Sequence, residues 1–249
     1  MGTWDYYGRH DPYFGVLSHD RFHGGALTEE ARREFFESGA AYVRGVLDAC
    51  RRHLGSDLPR EKALDFGCGV GRLTLPLAAE FAHAVGVDIA LGMLTEARAQ
   101  AAALHVSNVT FCQRLEELRD AQGTFSFVNS YIVLQHVPTK DGLQYMTTML
   151  RLLGADGFGA LHVTYGRAKD KANLGVRSLG SRAAQLAAAP FSKLGRKLRG
   201  REPKMAMNPY NLNQVMFMLQ DCGATEVHAQ LTNHGGHLGA TLLFAKRAR

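Results

Sequence analysis

The stretch Ala63-Leu64-Asp65-Phe66-Gly67-Cys68-Gly69-Val70-Gly71-Arg72 combines residue types that suit ligand binding. An apolar run ends in an acid, and three glycines at alternate positions follow. Glycine has no Cβ, so such a backbone turns sharply and lets a ligand approach closely. A second run, Val85-Gly86-Val87, ends in Asp88. A carboxylate there can accept two hydrogen bonds from a ribose diol. The glycines are not a P-loop, because no GxxxxGK followed by Ser or Thr occurs. They also lack the GxGxxG spacing of dinucleotide folds, whose third glycine lets helix and strand pack closely. The observed GxGxG, with Asp65 two residues ahead, suits a ligand without a pyrophosphate. An adenosine joined to a sulfonium and an amino acid is such a ligand, and Asp65 would meet its ammonium group.

Positioning these residues requires strands and helices in alternation. Short apolar runs at Ala63–Phe66, Ala84–Asp88, Val109–Cys112, Phe125–Ser130, Gly157–Thr164, Thr225–Leu231 and Leu238–Lys246 read as strands. Helical spacing predicts helices at about 71–82, 90–104, 138–153 and 209–221, the last begun by Asn208 as N-cap and Pro209 at the first position. Such alternation implies an α/β fold with a doubly wound parallel sheet. The last two strands have only a short link containing Gly235 and Gly236, which predicts an antiparallel hairpin at one edge. Upstream, Thr28 caps a helix whose apolar residues run from Phe35 to Leu54, and Gly55 ends it. Residues 1–27 are rich in aromatics, His, Gly and Asp, without clear periodicity.

At 249 residues, with 46% hydrophobic and 21% charged residues, the chain is an ordinary globular one and not a disordered or fibrous one. Its apolar runs all fall short of the ~18 residues of a membrane span. The first residues carry Asp5 and Asp11 and no apolar core of a signal peptide. Cys50, Cys68, Cys112 and Cys222 are widely spaced, which points to free thiols in a reduced, cytoplasmic setting. The whole chain carries +6, but residues 167–204 alone hold eleven Lys/Arg and two Asp/Glu, a local +9 that leaves −3 for the remainder. A mildly acidic domain thus bears one basic segment.

A second informative stretch is Phe125-Ser126-Phe127-Val128-Asn129-Ser130-Tyr131-Ile132-Val133-Leu134-Gln135-His136-Val137-Pro138. With the glycine motif, it resembles the class I S-adenosylmethionine-dependent methyltransferases, especially their small-molecule branch, from about Lys62 to Lys246. The resemblance implies a Rossmann-like, seven-stranded sheet of order 3-2-1-4-5-7-6 with strand 7 antiparallel. Residues 1–60 would form an N-terminal lid and helical strap. Residues 61–249 would form the methyltransferase domain, with a cap insertion at 167–204 after strand 5. It further implies S-adenosylmethionine as cofactor, bound by Asp65, Gly67, Cys68, Gly69 and Gly71, by Asp88 and Ile89 at the ribose, and by Ser130 and Tyr131 at the methionine end. The adenine side falls at Gln113, Arg114 and Leu115. The family often has an acid there, and the Gln113 amide, both donor and acceptor, would replace it.

The turn after strand four bears on the acceptor. Asn129-Ser130-Tyr131-Ile132 is not the Asn/Asp-Pro-Pro-aromatic turn of enzymes that methylate base amino groups. It lacks the carboxylates of metal-dependent O-methylation, and His234-Gly-Gly-His237 reads as a hairpin rather than a zinc pair, so no metal is expected. His136 lies where an imidazole could take a proton from a hydroxyl, which predicts O-methylation with His136 as general base. His162 is the weaker rival, expected to be buried against another strand. Trp4 to His23, with Tyr6, Tyr7 and Tyr13, suits a lid over a sugar-like or aromatic acceptor. The expected partner is a small molecule or glycan, with a basic segment that contacts an anionic group or membrane surface, peripherally. Two alternatives are an RNA-binding methyltransferase using that segment and a membrane-associated enzyme of a lipid-linked acceptor. The absence of interleaved basic and aromatic motifs argues against nucleic acid.

Overall fold

The computed structural model describes residues 2–55, 57–175 and 202–247. Most of the basic stretch, residues 176–201, lies outside the described residues, including the predicted cap positions Lys193, Arg196, Lys197 and Arg199.

The apolar runs become strands whose successive residues enter opposite layers. Ala63 of β1 (Lys62–Phe66) packs on one face of the sheet and Leu64 on the other. The same division separates Ala84 from Val85 in β2 (His83–Val87) and Phe127 from Val128 in β4 (Phe125–Ser130). It recurs at Ala160 and Leu161 of β5 (Leu153–Arg167), and at Leu243 and Leu242 of β7 (His237–Lys246). Strands apolar on both sides must be covered on both sides. Helices α3 (Glu29–Leu54) and α4 (Thr74–Glu80) cover one face; α6 (Thr139–Leu152) and α7 (Leu212–Asp221) cover the other. Helix α5 (Leu91–Ala103) packs beside β3 (Val109–Cys112).

Adding β6 (Ala224–His234), the sheet order is β3-β2-β1-β4-β5-β7-β6, with β7 antiparallel to both neighbours, as the resemblance implied. Gly235 and Gly236, both at positive φ, make the two-residue turn that pairs His234 with His237. Strand β1 pairs in parallel with β2 on one side and β4 on the other, so strand order reverses there. The crevice beyond their carboxyl ends is where an open α/β sheet binds ligands. Among the described residues, no helix is long and apolar enough to cross a membrane.

Residues 2–27 contain helices α1 (Thr3–His10) and α2 (Pro12–Val16) and two short 3-10 turns. The Asp5 carboxylate accepts the Gly2 N–H at 3.1 Å, and Pro12 begins α2. One expectation needs correction: the last predicted helix starts later. Asn211 is its N-cap, accepting the Asn213 N–H, while Asn208 donates from its backbone N and its side chain to the Gln135 carbonyl. Tyr210 likewise donates its N–H to Thr164. Tertiary bonds hold 208–210 outside the helix.

These bonds brace the turn after β4. The Tyr210 hydroxyl donates toward the carbonyls of Leu134 (2.8 Å) and Val137 (3.2 Å), and Gly142 of α6 leaves room for it. A Cβ on Gly142 would run into that hydroxyl. Gly142→Ala, although better for an isolated helix, should destabilise the fold by about 1–3 kcal/mol through overpacking and the lost phenol bonds. Urea unfolding of the variant beside the parent checks this.

Candidate active site

The glycine turn joins β1 to α4 with its own amides already satisfied. Gly67 and Cys68 both donate their N–H groups to the Val87 carbonyl, at 2.7 and 3.0 Å. Gly69 donates to Asp88 Oδ2 at 2.9 Å, and Gly71 to the Cys68 carbonyl at 3.0 Å. The four N–H groups are therefore not available to cradle a phosphate. Gly67 and Gly69 adopt φ of +75° and +53°, and a Cβ would strike Val133 at the first and Val16 at the second. The turn is thus pressed from above by α2 and from the side by the turn after β4. The buried Cys68 thiol, pushed well up by burial, is inert packing.

Asp65 lies beneath this turn, only 2% exposed. Its carboxylate accepts from Thr74 Oγ1 at 2.7 Å and Asn129 Nδ2 at 2.9 Å. Burial pushes its carboxyl up, against those bonds and Arg72, which favour the charged form. Each oxygen accepts one hydrogen bond inside the protein, so Asp65 braces the turn from below. Asp88 is half-buried, one oxygen on the Gly69 N–H and the other on that of Ala90, each at 2.9 Å. Burial pushes Asp88 up to about 6, with Asp65 adding and the two N–H bonds opposing.

Beyond Asp88, Ile89 stands 60% exposed as an apolar wall. Gln113 donates its side-chain amide to the Ile89 carbonyl at 2.8 Å, tying the ends of β2 and β3 together. The Gln113 and Arg114 N–H groups both go to Glu117 Oε1, the Arg114 side chain is exposed, and Leu115 is buried in the core. On the other side of β1, Ser130 ends β4 fully buried, its hydroxyl without a hydrogen-bond partner. Ile132 then takes φ +58°, a left-handed conformation that costs a β-branched residue about 1–3 kcal/mol. That bend turns Val133 back onto Gly67.

His136 follows in a 3-10 turn, Leu134–His136. Its Nδ1 lies 2.7 Å from the Ala206 carbonyl, which can only accept, so Nδ1 carries the proton and Nε2 the lone pair. Gln135 fixes the other end: its Oε1 accepts from Thr164 Oγ1 (2.9 Å), and its Nε2 lies 3.2 Å from His136 Nε2. Burial holds the imidazole below its ordinary pKa, with His237 adding and the Ala206 bond opposing. Trp4 of α1 meets the ring edge-on at 5.1 Å. The strap therefore covers both the glycine turn and His136. Its tyrosines serve packing: Tyr7 donates to the Pro203 carbonyl (3.1 Å), Tyr13 to Glu96 (2.6 Å), and Tyr6 stacks on His10.

Sequence reasoning missed a cluster on the α3 side. Arg72, 6% exposed, donates to Ser38 Oγ at 3.1 Å and keeps its Nε without a partner. Burial lowers its pKa, while Tyr131, Asp65 and Tyr42 stabilise its charge. Tyr42 of α3 packs on Tyr131 with ring centroids 4.1 Å apart. The signal was present, a cation directly after the third glycine, but its partners lie on α3 and β4. His162 is 1% exposed and reaches Thr232 of β6 at 2.9 Å across β7. Gly239 of β7 allows this, since a Cβ there would lie 2.8 Å from His162 Nε2 and 2.7 Å from Thr232 Oγ1. His162 Nδ1 and His234 Nε2 are buried without partners, and both rings meet Tyr131 edge-on.

Comparison with known proteins gives likenesses to methyltransferases. Residues 63–157 match a family model described as a methyltransferase domain. The chain is 33% identical over 102 residues to the ubiquinone biosynthesis O-methyltransferase of Hahella chejuensis, covering 41% of this chain and 43% of that protein. It is 45% identical over 60 residues to the 23S rRNA (uracil(1939)-C(5))-methyltransferase of Klebsiella pneumoniae, covering 24% of this chain and 14% of that one. It thus spans less than half the length of either relative. The crystal structure of magnesium protoporphyrin IX methyltransferase from Synechocystis, with bound SAH, superposes with a TM-score of 0.57 at 22% identity, over 95% of this chain and 97% of that one. That likeness shows the fold.

The buried histidine on β5 sets an acid limit to stability. Burial, with His234 beside it, holds His162 down to about 4, against an ordinary 6.5. Between those values the unfolded chain takes a proton that the folded protein excludes, so stability falls as pH drops from 6.5 toward 4. That gap corresponds to about 3 kcal/mol at full extent. Urea unfolding across pH 4–7 should show this loss in the parent and a markedly flatter profile in His162→Gln.

Proposed function

We propose that the chain is a class I S-adenosylmethionine-dependent methyltransferase that methylates an oxygen of a small molecule or glycan, with His136 as general base. The observation that carries this reading is the fixed tautomer of His136: a neutral imidazole whose lone pair sits on Nε2, beside the turn that ends β4.

The residues present fit the cofactor. The glycine turn offers close approach and no free amides at Gly67, Cys68, Gly69 or Gly71, which suits a ligand without phosphates. Asp88 keeps further lone pairs for a ribose diol, and Ile89 offers an apolar surface to the adenine beside Gln113, with Arg114 and Leu115 closing that end. Ser130 has an unused hydroxyl where the methionine end would lie, next to Tyr131. When bound, the cofactor supplies a sulfonium methyl group and its own leaving group.

The chain's task is alignment, exclusion of water and removal of one proton. Trp4 and Val16 lie over His136 and Gly69, so the strap shields both ends of the site. The acceptor hydroxyl would replace the long Gln135 contact at His136 Nε2 and give up its proton there as the carbon–oxygen bond forms. A depressed pKa keeps Nε2 free of protons at neutral pH. Support for the acceptor class comes from the O-methyltransferase likeness and from the lack of a base-methylating turn. The +9 of residues 167–204 would meet an anionic part of the acceptor or a membrane surface.

Two measurements bear on this. Asp88→Asn should weaken S-adenosylmethionine by about 1.5–3 kcal/mol in calorimetry. Because Asp88 is pushed up to about 6, parent affinity should fall as pH drops below 6, and the variant should lack that step. His136→Gln should keep cofactor affinity while kcat on a hydroxyl acceptor falls by about 10²–10⁴. Near-parental kcat from pH 6 to 9 would remove the base assignment and shift the acceptor toward amines.

A further inference from the structure

A second cluster of ligating groups lies away from the glycine turn, where the strap meets the chain that re-enters after residue 201. Asp11 sits between α1 and α2, His23 between the two 3-10 turns, and Glu202 opens the returning segment. We propose that Asp11, His23 and Glu202 bind a divalent first-row metal ion of the zinc or manganese class, which staples the strap to residues 202–208.

The geometry rests on three side chains from separate parts of the sequence. Asp11 Oδ2 lies 2.7 Å from His23 Nδ1, the ring nitrogen that would serve as ligand; Glu202 Oε1 lies 3.3 Å from the other ring nitrogen, Nε2, and would turn toward the ion on binding. One ligand atom from each residue falls within 4.8 Å of the others. Asp11 is only 5% exposed, and its Oδ2 has no hydrogen-bond partner despite the nearby nitrogen. The ring N–H is therefore not directed at it. A carboxylate oxygen and an imidazole nitrogen that approach closely without a hydrogen bond are placed as two ligands of one cation would be. An unsatisfied buried carboxylate is costly, and a cation beside it removes that cost.

The donor set supports the choice of ion. One imidazole with two carboxylates suits zinc, manganese or cobalt. His23 and Glu202 are about half exposed, which leaves a path for entry and positions for water. The Tyr7 phenol beside the cluster is pushed up, chiefly by burial and then by Glu202, with Asp11 adding, so the local field is negative. Phe14 stacks obliquely on the His23 ring at 4.7 Å and limits its rotation.

The staple would reach the active site through a short path. From Glu202 the chain passes Pro203, whose carbonyl accepts from Tyr7, and Met205, beside Ser18. It then reaches Ala206, whose carbonyl holds His136 Nδ1, and Asn208, bonded to Gln135. Metal binding would thus stiffen the strap and the segment that fixes the His136 tautomer. The rival occupant of the cluster is a proton, with an imidazolium between two carboxylates.

The test uses the full chain without an affinity tag. Equilibrium dialysis against zinc and titration with Co²⁺, read by its visible absorption, should give one ion per chain. Asp11→Asn and Glu202→Gln, which keep shape and remove charge, should each weaken uptake at least about tenfold, and His23→Gln likewise. Hydrogen exchange in residues 2–27 and 203–208 should slow with zinc in the parent and not in Asp11→Asn. Absence of saturable uptake, or uptake in all three variants equal to the parent's, overturns the proposal. So does strap protection that responds to acidification alone, which would identify the cluster as an ion pair.

Discussion

The Val87 carbonyl accepts two backbone N–H groups, those of Gly67 and Cys68, and the site is arranged around that pairing. It fastens the end of β2 to the turn after β1, so the two carboxyl ends cannot move apart. Asp88, the next residue, then bonds the Gly69 amide and completes the turn. The N–H groups of Gly67, Cys68, Gly69 and Gly71 are consequently all bonded within the protein. That distinguishes it from a phosphate cradle, in which N–H groups point at the ligand. A doubly wound sheet specifies where a ligand binds. The bonding of these few amides disfavours a phosphate at this turn.

The turn is also under pressure from two sides. The left-handed Ile132 turns Val133 back onto Gly67, and α2 brings Val16 onto Gly69. Neither contact is local in sequence, and each occupies space that a Cβ on the glycine would need. The strap and the turn after β4 therefore share a boundary with the cofactor loop. Residues 203–208 close the arrangement, since they bond Tyr7 on the strap and Gln135 and His136 on the turn. Glycine turn, strap and candidate base form one connected body of contacts, in which displacement of the returning segment would loosen the strap and the turn that carries His136.

What was legible in the sequence follows the range of the interaction responsible. The inner strands could be read because they are apolar runs whose residues divide between two faces, and the edge hairpin because Gly235-Gly236 supplies both positive φ values. Asp88 could be read because it follows a strand directly. The helices of the strap could not, since their register depends on tertiary contacts such as Tyr13 with Glu96. The start of α7 was misplaced for the same reason: Asn208 has the composition of a cap but is held by Gln135. Arg72 with Tyr42, and Asp11 with His23 and Glu202, are constellations of residues far apart in sequence, visible only after folding.

The two buried histidines near the carboxyl edge show why residue type alone does not assign a base. Both are held below the ordinary imidazole range by burial, so both are neutral at physiological pH. Neutrality is necessary for a base but does not choose between them. His162 has one nitrogen on Thr232 and the other enclosed without solvent contact, and the gap at Gly239 locks the pair within the sheet. A proton taken there would be a buried charge with no carboxylate hydrogen-bonded to it, beside another imidazole. His136 differs at each point. Its Nδ1–H is anchored on a carbonyl that would stabilise the imidazolium, and its Nε2 carries only a long contact to a side chain of the same turn. A proton arriving at Nε2 is therefore accommodated by a bond already in place. That asymmetry favours His136 over His162 for the proposed base role, and the desolvation of His162 limits stability in acid.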